Sequence, residues 1–443
     1  MSKSDLSRRA FLGRGLSAAA APWIVPASVL GAAAPSNRVT LGFIGVGNQG
    51  SQVLQGFLQE DDCQVLAVCD VNRASYGYKS DKQFLGREVA RKTVDEHYAA
   101  SGGRSGGCAA YIDFRQVLGR ADIDAVVIAV PDHWHAVMTC AAARAGKDIY
   151  CEKPLSLTVE DGQAMVREVR RCGVVLQAGT HERSNGVSRF ACELVRNGYV
   201  GQLRRVQAVV GPWNKTAPPA DWKPMDVPED FDYERWLGPA PWAPYHKDRC
   251  LYNFRFLLDY SGGQVTNYGA HSLDLAQWGH DTERTGPVEV ADAGSVWPSD
   301  GLFDVALEVH FRARYADGVE LECITRKENM STRFEGSEGW VEVGYGGFHT
   351  FPESLKRVRL GPNDVRLYAS AGHYRNFLDC VKSRREPAAP VEVAHRSATL
   401  CHLGNIAMLL KRPLKWDPRA ERFVGDDQAN RMLGRARRAP WTV

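Results

Sequence analysis

The sequence predicts an α/β protein with two domains, the first built on a parallel sheet and the second on a large, mostly antiparallel open sheet. Three observations support this prediction. The chain of 443 residues is too long for a single hydrophobic core. As far as residue 178, apolar runs alternate with helical stretches, which is typical of a parallel sheet covered on both faces. From residue 200 onward, strands follow one another without this alternation, which favours antiparallel pairing.

The first domain contains four β-rich runs separated by helical segments. They are VTLGFI at 39–44, CQVLAVCD at 63–70, DAVVIAVP at 124–131 and DIYCEKP at 148–154. Between residues 74 and 107 the composition predicts a mixed helical insertion at the periphery, ending in the flexible loop SGGRSGG.

The second domain has its own markers. The segment YADGVEL at 315–321 places Asp-Gly between two alternating runs, which predicts a β-hairpin. Residues 211–249 are rich in proline and tryptophan, and a loop of this length is commonly a cover over a site. Helices are expected near 372–385 and 395–411, and they are followed by an arginine-rich tail. We expect the chain to divide into three segments, residues 1–34, 35–157 and 158–443.

Charge and cysteine content narrow the class of partner. The whole formal charge of +3 lies in residues 1–34, so the rest of the chain is neutral and offers no electrostatic basis for binding nucleic acid. No apolar run after residue 35 reaches the roughly 20 residues that a membrane helix needs. The eleven cysteines form no CxxC pair, so we expect neither an essential disulfide nor a metal site. The partner is expected to be a small molecule.

The first 34 residues resemble an export signal. Ser7-Arg8-Arg9-Ala10-Phe11-Leu12 matches the twin-arginine pattern, and an apolar stretch and a small-residue exit follow it. The resemblance implies export of an already folded protein to the periplasm, and hence a cofactor loaded before export.

A glycine turn follows the first strand. Gly45 and its neighbours fit G-x-G-x-x-G between a strand and a helix, and Asp70 ends the next strand, a combination typical of a Rossmann dinucleotide-binding domain. Asp70 is expected to accept hydrogen bonds from the adenosine ribose, which favours NAD, whereas Arg73 leaves NADP open. The predicted contacts of the turn are Gly45, Val46, Gly47, Asn48, Gln49 and Gly50.

Three further motifs resemble the glucose-fructose oxidoreductase and inositol dehydrogenase (Gfo/Idh/MocA) family. They are CEKP at 151–154, AVPDHWHA at 129–136 and GGQVTNYGAHSLDLAQW at 262–278. The resemblance implies a Rossmann domain followed by an α/β domain whose open sheet mediates homo-oligomer contacts. It also implies that Lys153 lies beside the nicotinamide and holds the reacting hydroxyl. Further cofactor contacts implied by the resemblance are Glu152, Pro131 and His135.

The remaining candidates concern proton transfer and substrate binding. The family's Asp-x-x-x-His pair falls on Asn267 and His271, and His271 is the candidate base that removes the hydroxyl proton. Because Asn267 carries no negative charge, we expect Asp274, on the same helical face, to replace the missing carboxylate in part. The candidate substrate-binding residues are His181, Arg183, Arg255, Tyr268 and Asp274.

Export of a nicotinamide enzyme requires a retained cofactor. If the cofactor associates at roughly 10⁵–10⁷ M⁻¹s⁻¹, an enzyme with a micromolar dissociation constant would lose it within seconds. We therefore expect an NAD(P)-dependent oxidoreductase that acts on a sugar, polyol or glycoside hydroxyl and binds its cofactor tightly. Two alternatives remain open: an NAD-dependent glycosidase resembling α-N-acetylgalactosaminidase, which oxidises a hydroxyl only transiently, and a non-catalytic periplasmic sugar-binding module.

Overall fold

The computed structural model describes residues 37–100, 107–211 and 221–443. The predicted export segment, residues 1–34, lies outside the described residues. No described helix is both long and apolar enough to cross a membrane.

The first sheet is parallel throughout and has six strands in the order β3-β2-β1-β4-β5-β6. Two adjacent inner strands, β4 and β5, are buried at every residue, because helices cover both faces of the sheet. The strands are β1 Val39–Ile44, β2 Cys63–Cys69, β3 Ala109–Tyr111, β4 Ala125–Ile128, β5 Asp148–Cys151 and β6 Leu176–Ala178. The fold class predicted for the first domain is therefore confirmed, although β6 lies beyond residue 157, the boundary expected from sequence.

The second sheet has nine strands in the order β13-β12-β11-β7-β10-β9-β8-β14-β15. Only β7 and β10 pair in parallel, and the other neighbours are antiparallel. The predicted Asp-Gly hairpin joins β9 to β10, and the Tyr315 N–H donates to the Val319 carbonyl across it at 3.0 Å. The strands are β7 Leu203–Val209, β8 Glu289–Asp292, β9 His310–Arg314, β10 Glu320–Ile324, β11 Ser331–Gly336, β12 Trp340–Gly344, β13 Gly347–Phe351, β14 Leu414–Asp417 and β15 Arg422–Phe423.

Helices cover the first sheet and one face of the second. They are α1 Asn48–Leu58, α2 Arg87–Ala100, α3 Phe114–Leu118, α4 His135–Arg144, α5 Val159–Cys172, α6 Gly186–Arg196, α7 Tyr233–Leu237, α8 Gln264–Asn267, α9 Gly269–His280, α10 His373–Ser383, α11 Val391–Leu410 and α12 Asp427–Asn430. Helix α5 begins at the Thr158 cap, whose hydroxyl accepts from the Asp161 N–H, and ends at Gly173 in the left-handed region.

Helix α11 joins the two domains. Its first half places Ala394 and Ala398 in the core beneath the parallel sheet. Its second half places Leu400 and Leu403 in the core of the nine-stranded sheet. Because one continuous helix serves both cores, the edge of the first sheet is held against the second domain.

The register of the parallel sheet brings the sequence motifs to one edge. Ile44 lies opposite Cys69 on one side and opposite Ile128 on the other, and Ile128 lies opposite Cys151. The residues that follow these four strand ends therefore meet at the carboxyl edge, where ligands bind in open α/β sheets.

All eleven cysteines are free thiols, and ten of them are buried. Burial raises the pKa of several, for example Cys63 and Cys108 to about 12. Only Cys172, at the end of α5, is partly exposed.

We expect the native protein to react with iodoacetamide at Cys172 at most, because the thiolate is the reactive species and burial suppresses it elsewhere. Mass spectrometry after brief labelling, with and without denaturant, measures this. Denatured and unreduced protein should take up eleven labels. Fewer labels, restored by a reductant, would show disulfides that contradict the structure.

Candidate active site

A cavity of about 500 Å³ follows the carboxyl edge of the parallel sheet. One end is lined by Asp70 and Phe114 of the first domain, and the other by His271 and Tyr345 of the second. The cavity therefore extends from the position expected for an adenosine to the residues predicted to perform the chemistry.

The glycine turn lines this cavity and begins helix α1. Gly45 has a φ of +86°, which favours glycine. A Cβ at Gly50 would lie 2.1 Å from the Gly45 carbonyl oxygen, so the turn can close against the helix only without a side chain there. A Cβ at Gly47 would lie 2.7 Å from Cε1 of Tyr78, so glycine lets the Tyr78 ring approach the turn, and both residues line the cavity. Free N–H groups at a helix N-terminus beside such a cavity fit a pyrophosphate.

Asp70 stands beside the turn. One carboxylate oxygen accepts from the Val46 N–H and the other from the Asn72 N–H, both at 2.9 Å. Burial raises the pKa of Asp70, and these N–H donors oppose that effect. Each oxygen keeps a lone pair for a ribose hydroxyl. Arg73, the residue that left NADP open, instead reaches Asp230 at 3.4 Å, is largely exposed and does not line the cavity, which favours NAD.

The turn at Pro131–His135 forms part of the cavity wall. Pro131 lines the cavity, as does Asp132, which accepts from the Ser261 hydroxyl at 2.5 Å. His135, a predicted cofactor contact, does not line the cavity, because the structure places it behind the wall. Its Nδ1 lies 2.7 Å from the Pro154 carbonyl oxygen and its Nε2 3.0 Å from that of Val130, so both nitrogens are used by the backbone.

Lys153 projects from the end of β5 towards the second domain. Its ammonium donates to Oδ1 of Asn267 at 3.0 Å and to the carbonyl oxygen of Asn267 at 3.2 Å. The amide is itself oriented, because its Nδ2 donates to Gln264 at 2.9 Å. Burial lowers the pKa of Lys153, although neighbouring Glu152 opposes that shift. One N–H of the ammonium remains for a ligand.

His271 lies in the first turn of α9 and lines the same end of the cavity. Its imidazole makes no hydrogen bond among the described residues, and its Nδ1 is buried without a partner. Burial lowers the pKa of His271 well below 6.5, and the positive charge of Lys153 lowers it further. The ring is thus neutral at physiological pH.

Glu152 and His181 form a second acid-base pair that the motifs did not predict. Nε2 of His181 lies 3.7 Å from the buried Glu152 carboxylate and 3.1 Å from the Tyr150 hydroxyl. Burial alone would raise the pKa of Glu152, but His181 and the charge of Lys153 outweigh it and hold the pKa below its usual value. A Cβ at residue 179 would lie 2.7 Å from the carboxylate, so Gly179 makes room for it.

Arg183 and Asp274 are not cavity residues, contrary to the sequence prediction. The guanidinium donates to both Asp274 oxygens at 2.8–3.0 Å, and the two side chains are 3% and 1% exposed. A second carboxylate, Glu283, lies 2.7 Å away. Asp274 is also bound by the Ser397 hydroxyl, so it cannot replace the carboxylate that is missing at Asn267. The pair instead fixes α9, the helix that carries His271.

The other predicted residues do line the cavity. Those that line it are Gly45, Gly47, Asn48, Gln49, Asp70, Pro131, Glu152, Lys153, His181, Arg255, Asn267, Tyr268 and His271. Gln49 also donates to Glu152 at 3.4 Å. Val46 and Gly50 contribute through the backbone of the turn.

The cover over the cavity comes from more segments than the sequence indicated. The proline-rich loop contributes Phe231, Arg235 and Trp236, as expected. Trp213 lies outside the described residues, and Trp242 is 68% exposed and lines nothing. Contributors that the sequence analysis missed include Tyr78, from the insertion expected to be peripheral, and Trp441, near the end of the arginine-rich tail. For Trp441, the one signal in the sequence was the presence of a tryptophan within a basic tail.

The described residues contain no cluster of His, Cys, Asp and Glu that could hold a metal ion. The glycine turn, Asp70 and the cavity that they line do fit a dinucleotide, which these residues would hold along the carboxyl edge.

Comparison with known proteins agrees with this architecture. The crystal structure of the WlbA dehydrogenase from Bordetella pertussis in complex with NADH and UDP-GlcNAcA aligns with this chain with a TM-score of 0.58 at 18% identity, over 86% of this chain and 99% of that one. The 1,5-anhydro-D-fructose reductase of Ensifer adhaerens is 38% identical over 87 residues, 20% of this chain and 26% of that protein. Glycosyl hydrolase family 109 protein 1 of Shewanella sp. strain MR-4 is 29% identical over 182 residues, 41% of this chain and 37% of that protein. The chain thus spans well under half the length of these two curated relatives.

The family models cover most of the chain. The model for the oxidoreductase family's NAD-binding Rossmann fold matches residues 39–180, and the model for its C-terminal alpha/beta domain matches residues 213–443. This protein therefore belongs to the Gfo/Idh/MocA oxidoreductase family, and its first domain is that family's NAD-binding Rossmann fold.

Proposed function

We propose that this protein is an NAD-dependent oxidoreductase that acts on a CH–OH group of a sugar, polyol or glycoside and keeps its cofactor bound through the reaction cycle. The observation that carries the proposal is the convergence of Lys153 and His271 on one end of the cavity that begins at the glycine turn. Bound NAD would supply a hydride acceptor there.

The chain's own residues would hold the hydroxyl and move its proton. Lys153 has one ammonium N–H left over from Asn267, and this group would hold the substrate oxygen. His271 is neutral and has no side-chain partner among the described residues, so it can accept the hydroxyl proton. Cover residues such as Trp236 and Tyr345 would exclude water from this end.

Retention of the cofactor is supported by the residues that close the cavity. We name residues 434–443 the C-terminal strap. Arg438 of the strap donates to the Gly238 carbonyl at 3.0 Å and to the Glu234 carboxylate at 2.6 Å, beside helix α7 of the cover. Trp441 packs on Trp134 of the first domain, with ring centroids 4.6 Å apart. The strap thus ties the cover to the cofactor domain across the cavity.

We further propose export through the twin-arginine route to the periplasm, on the basis of the Arg8-Arg9 motif. A cofactor enclosed by the cover and strap suits that destination, because a folded and loaded protein needs no nicotinamide pool there. We also propose homo-oligomer contacts through the open nine-stranded sheet.

A redox-neutral reaction is the second candidate, and the Glu152–His181 pair favours it. A net dehydrogenation needs one proton acceptor, whereas transient oxidation followed by elimination must also remove a C–H proton and protonate a leaving group. His181 lines the cavity and would supply the second acid-base group. The segment similar to family 109 glycosidases agrees with this candidate, whereas the NYGAHSLD stretch resembles the dehydrogenases more closely.

Replacement of Lys153 by Met should lower kcat/KM by about 10²–10⁴-fold, because the substrate oxygen loses its charged donor while the cofactor stays bound. Absorbance of reduced nicotinamide after addition of sugars, together with cleavage of aryl glycosides, measures turnover under both candidates. Lys92→Met is the matched control, because Lys92 is 72% exposed on α2. Full activity of the Lys153 variant would remove the catalytic assignment, and absence of any turnover in the native protein would favour the sugar-binding module.

Replacement of Trp441 by Ala should speed cofactor release by about 10- to 30-fold, because a tryptophan that closes a desolvated cavity is lost. Cofactor content after repeated gel filtration, and the dissociation rate into excess apo-acceptor, measure this. Trp242→Ala is the control, since that exposed tryptophan belongs to the same cover and lines nothing. Equal retention in all three proteins would show that the strap does not hold the cofactor.

A further inference from the structure

We propose that Arg255 binds a carboxylate of the substrate, so that the sugar acted on is acidic: a uronic or aldonic acid, or a glycoside of one. This inference rests on the proposed function, because it assigns the substrate class of the same cavity. Its basis is an arginine that faces the cavity and has no acidic partner.

Arg255 is held in place by aromatic rings. It belongs to the 3₁₀ turn Asn253–Phe256, whose last residue is only 2% exposed and anchors the turn in the cover. The guanidinium carbon lies 3.8 Å from the centroid of the Tyr252 ring and 5.3 Å from that of Phe254. Stacking of this kind fixes the guanidinium plane and leaves N–H groups on its edge for a ligand.

No carboxylate of the described residues lies within ion-pair distance of Arg255. The other arginines considered for this site are paired: Arg183 with Asp274 at 2.8 Å, and Arg235 with Asp232. Asp132, the acidic cavity residue whose charge acts on Arg255, is bound to the Ser261 hydroxyl instead. A partly buried guanidinium facing a cavity is completed most favourably by an anion, and its fork matches a carboxylate bidentately.

Arg255 is also close to the reacting end of the cavity. Burial lowers the pKa of Lys153, and the positive charge of Arg255 lowers it further. Arg255 therefore acts on the residue that would hold the substrate hydroxyl, whereas the expected pyrophosphate position lies at the glycine turn. A sugar with its hydroxyl at Lys153 and its carboxylate at Arg255 would satisfy both cations.

The experiment uses the protein as isolated with its cofactor, and three matched pairs of probes: the methyl glycosides of glucose, galactose and mannose against those of the corresponding uronic acids. Calorimetry measures binding, and nicotinamide absorbance measures turnover. In at least one pair we expect the acid to bind about 10- to 100-fold more tightly, since a charged hydrogen-bonded pair is gained.

Arg255→Met should abolish this preference while leaving the affinity for the neutral sugar within about threefold and the cofactor content unchanged. Arg255→Lys, which keeps the charge but not the fork, should retain part of it. Arg204→Met is the control for the loss of one positive charge, because Arg204 is exposed on β7 and lies outside the cavity.

Equal binding of acid and neutral sugar in every pair, or a preference that survives Arg255→Met, overturns the inference. Loss of cofactor in Arg255→Met overturns it as well, and assigns the guanidinium to the cofactor phosphates. If the protein prefers the acids but turns over none of the sugars, the inference about Arg255 stands and the proposed function is removed. If it turns over neutral sugars and shows no preference for the acids, the proposed function stands and the inference is overturned.

Discussion

The contact between Lys153 and Asn267 is the interaction on which the site depends. It joins the end of β5 in the Rossmann sheet to the residues that precede α9 in the second domain, with an amide and a backbone carbonyl as the acceptors. These acceptors carry no charge and use only part of the hydrogen-bonding capacity of the ammonium, so one N–H is left for the substrate. The same amide brings no negative charge to His271, so burial and the charge of Lys153 keep that imidazole neutral.

Charges around this contact are satisfied in ways that hold the catalytic groups in place. Arg183, Asp274 and Glu283 form a buried network that fixes α9 and hence His271. The Glu152 carboxylate lies 3.7 Å from Nε2 of His181 and accepts a hydrogen bond from Gln49 of the glycine turn. Losing one partner from such a network is costly, because the other charge is left buried and unpaired. Residues that do not face the cavity therefore control its geometry.

The motifs and their edge of the sheet could be predicted from the sequence, because strand ends, glycine turns and polar residues follow simple local rules. The turn at Gly45, Asp70 and Lys153 all lie where those rules place them. Arg183 and Asp274 could not be distinguished from ligand-binding residues, since their pairing joins segments 91 residues apart. The place of His135 behind the cavity wall could not be predicted for a related reason: its partners are backbone carbonyls, which no side-chain motif records. Trp441 could not be predicted either, because it lines the cavity only as a result of the path that the C-terminal strap takes in the folded protein.

The measurement that tests this account most directly is an NMR titration of the His271 imidazole in the cofactor-loaded protein and in Asn267→Asp, with the signal assigned by its loss in His271→Gln. The account predicts that the imidazole of the native protein stays neutral as pH falls through 6.5, its ordinary pKa. A carboxylate at position 267 should raise the pKa by about 1 unit or more. An imidazole that titrates near 6.5 in the native protein, or identically in both proteins, would contradict it.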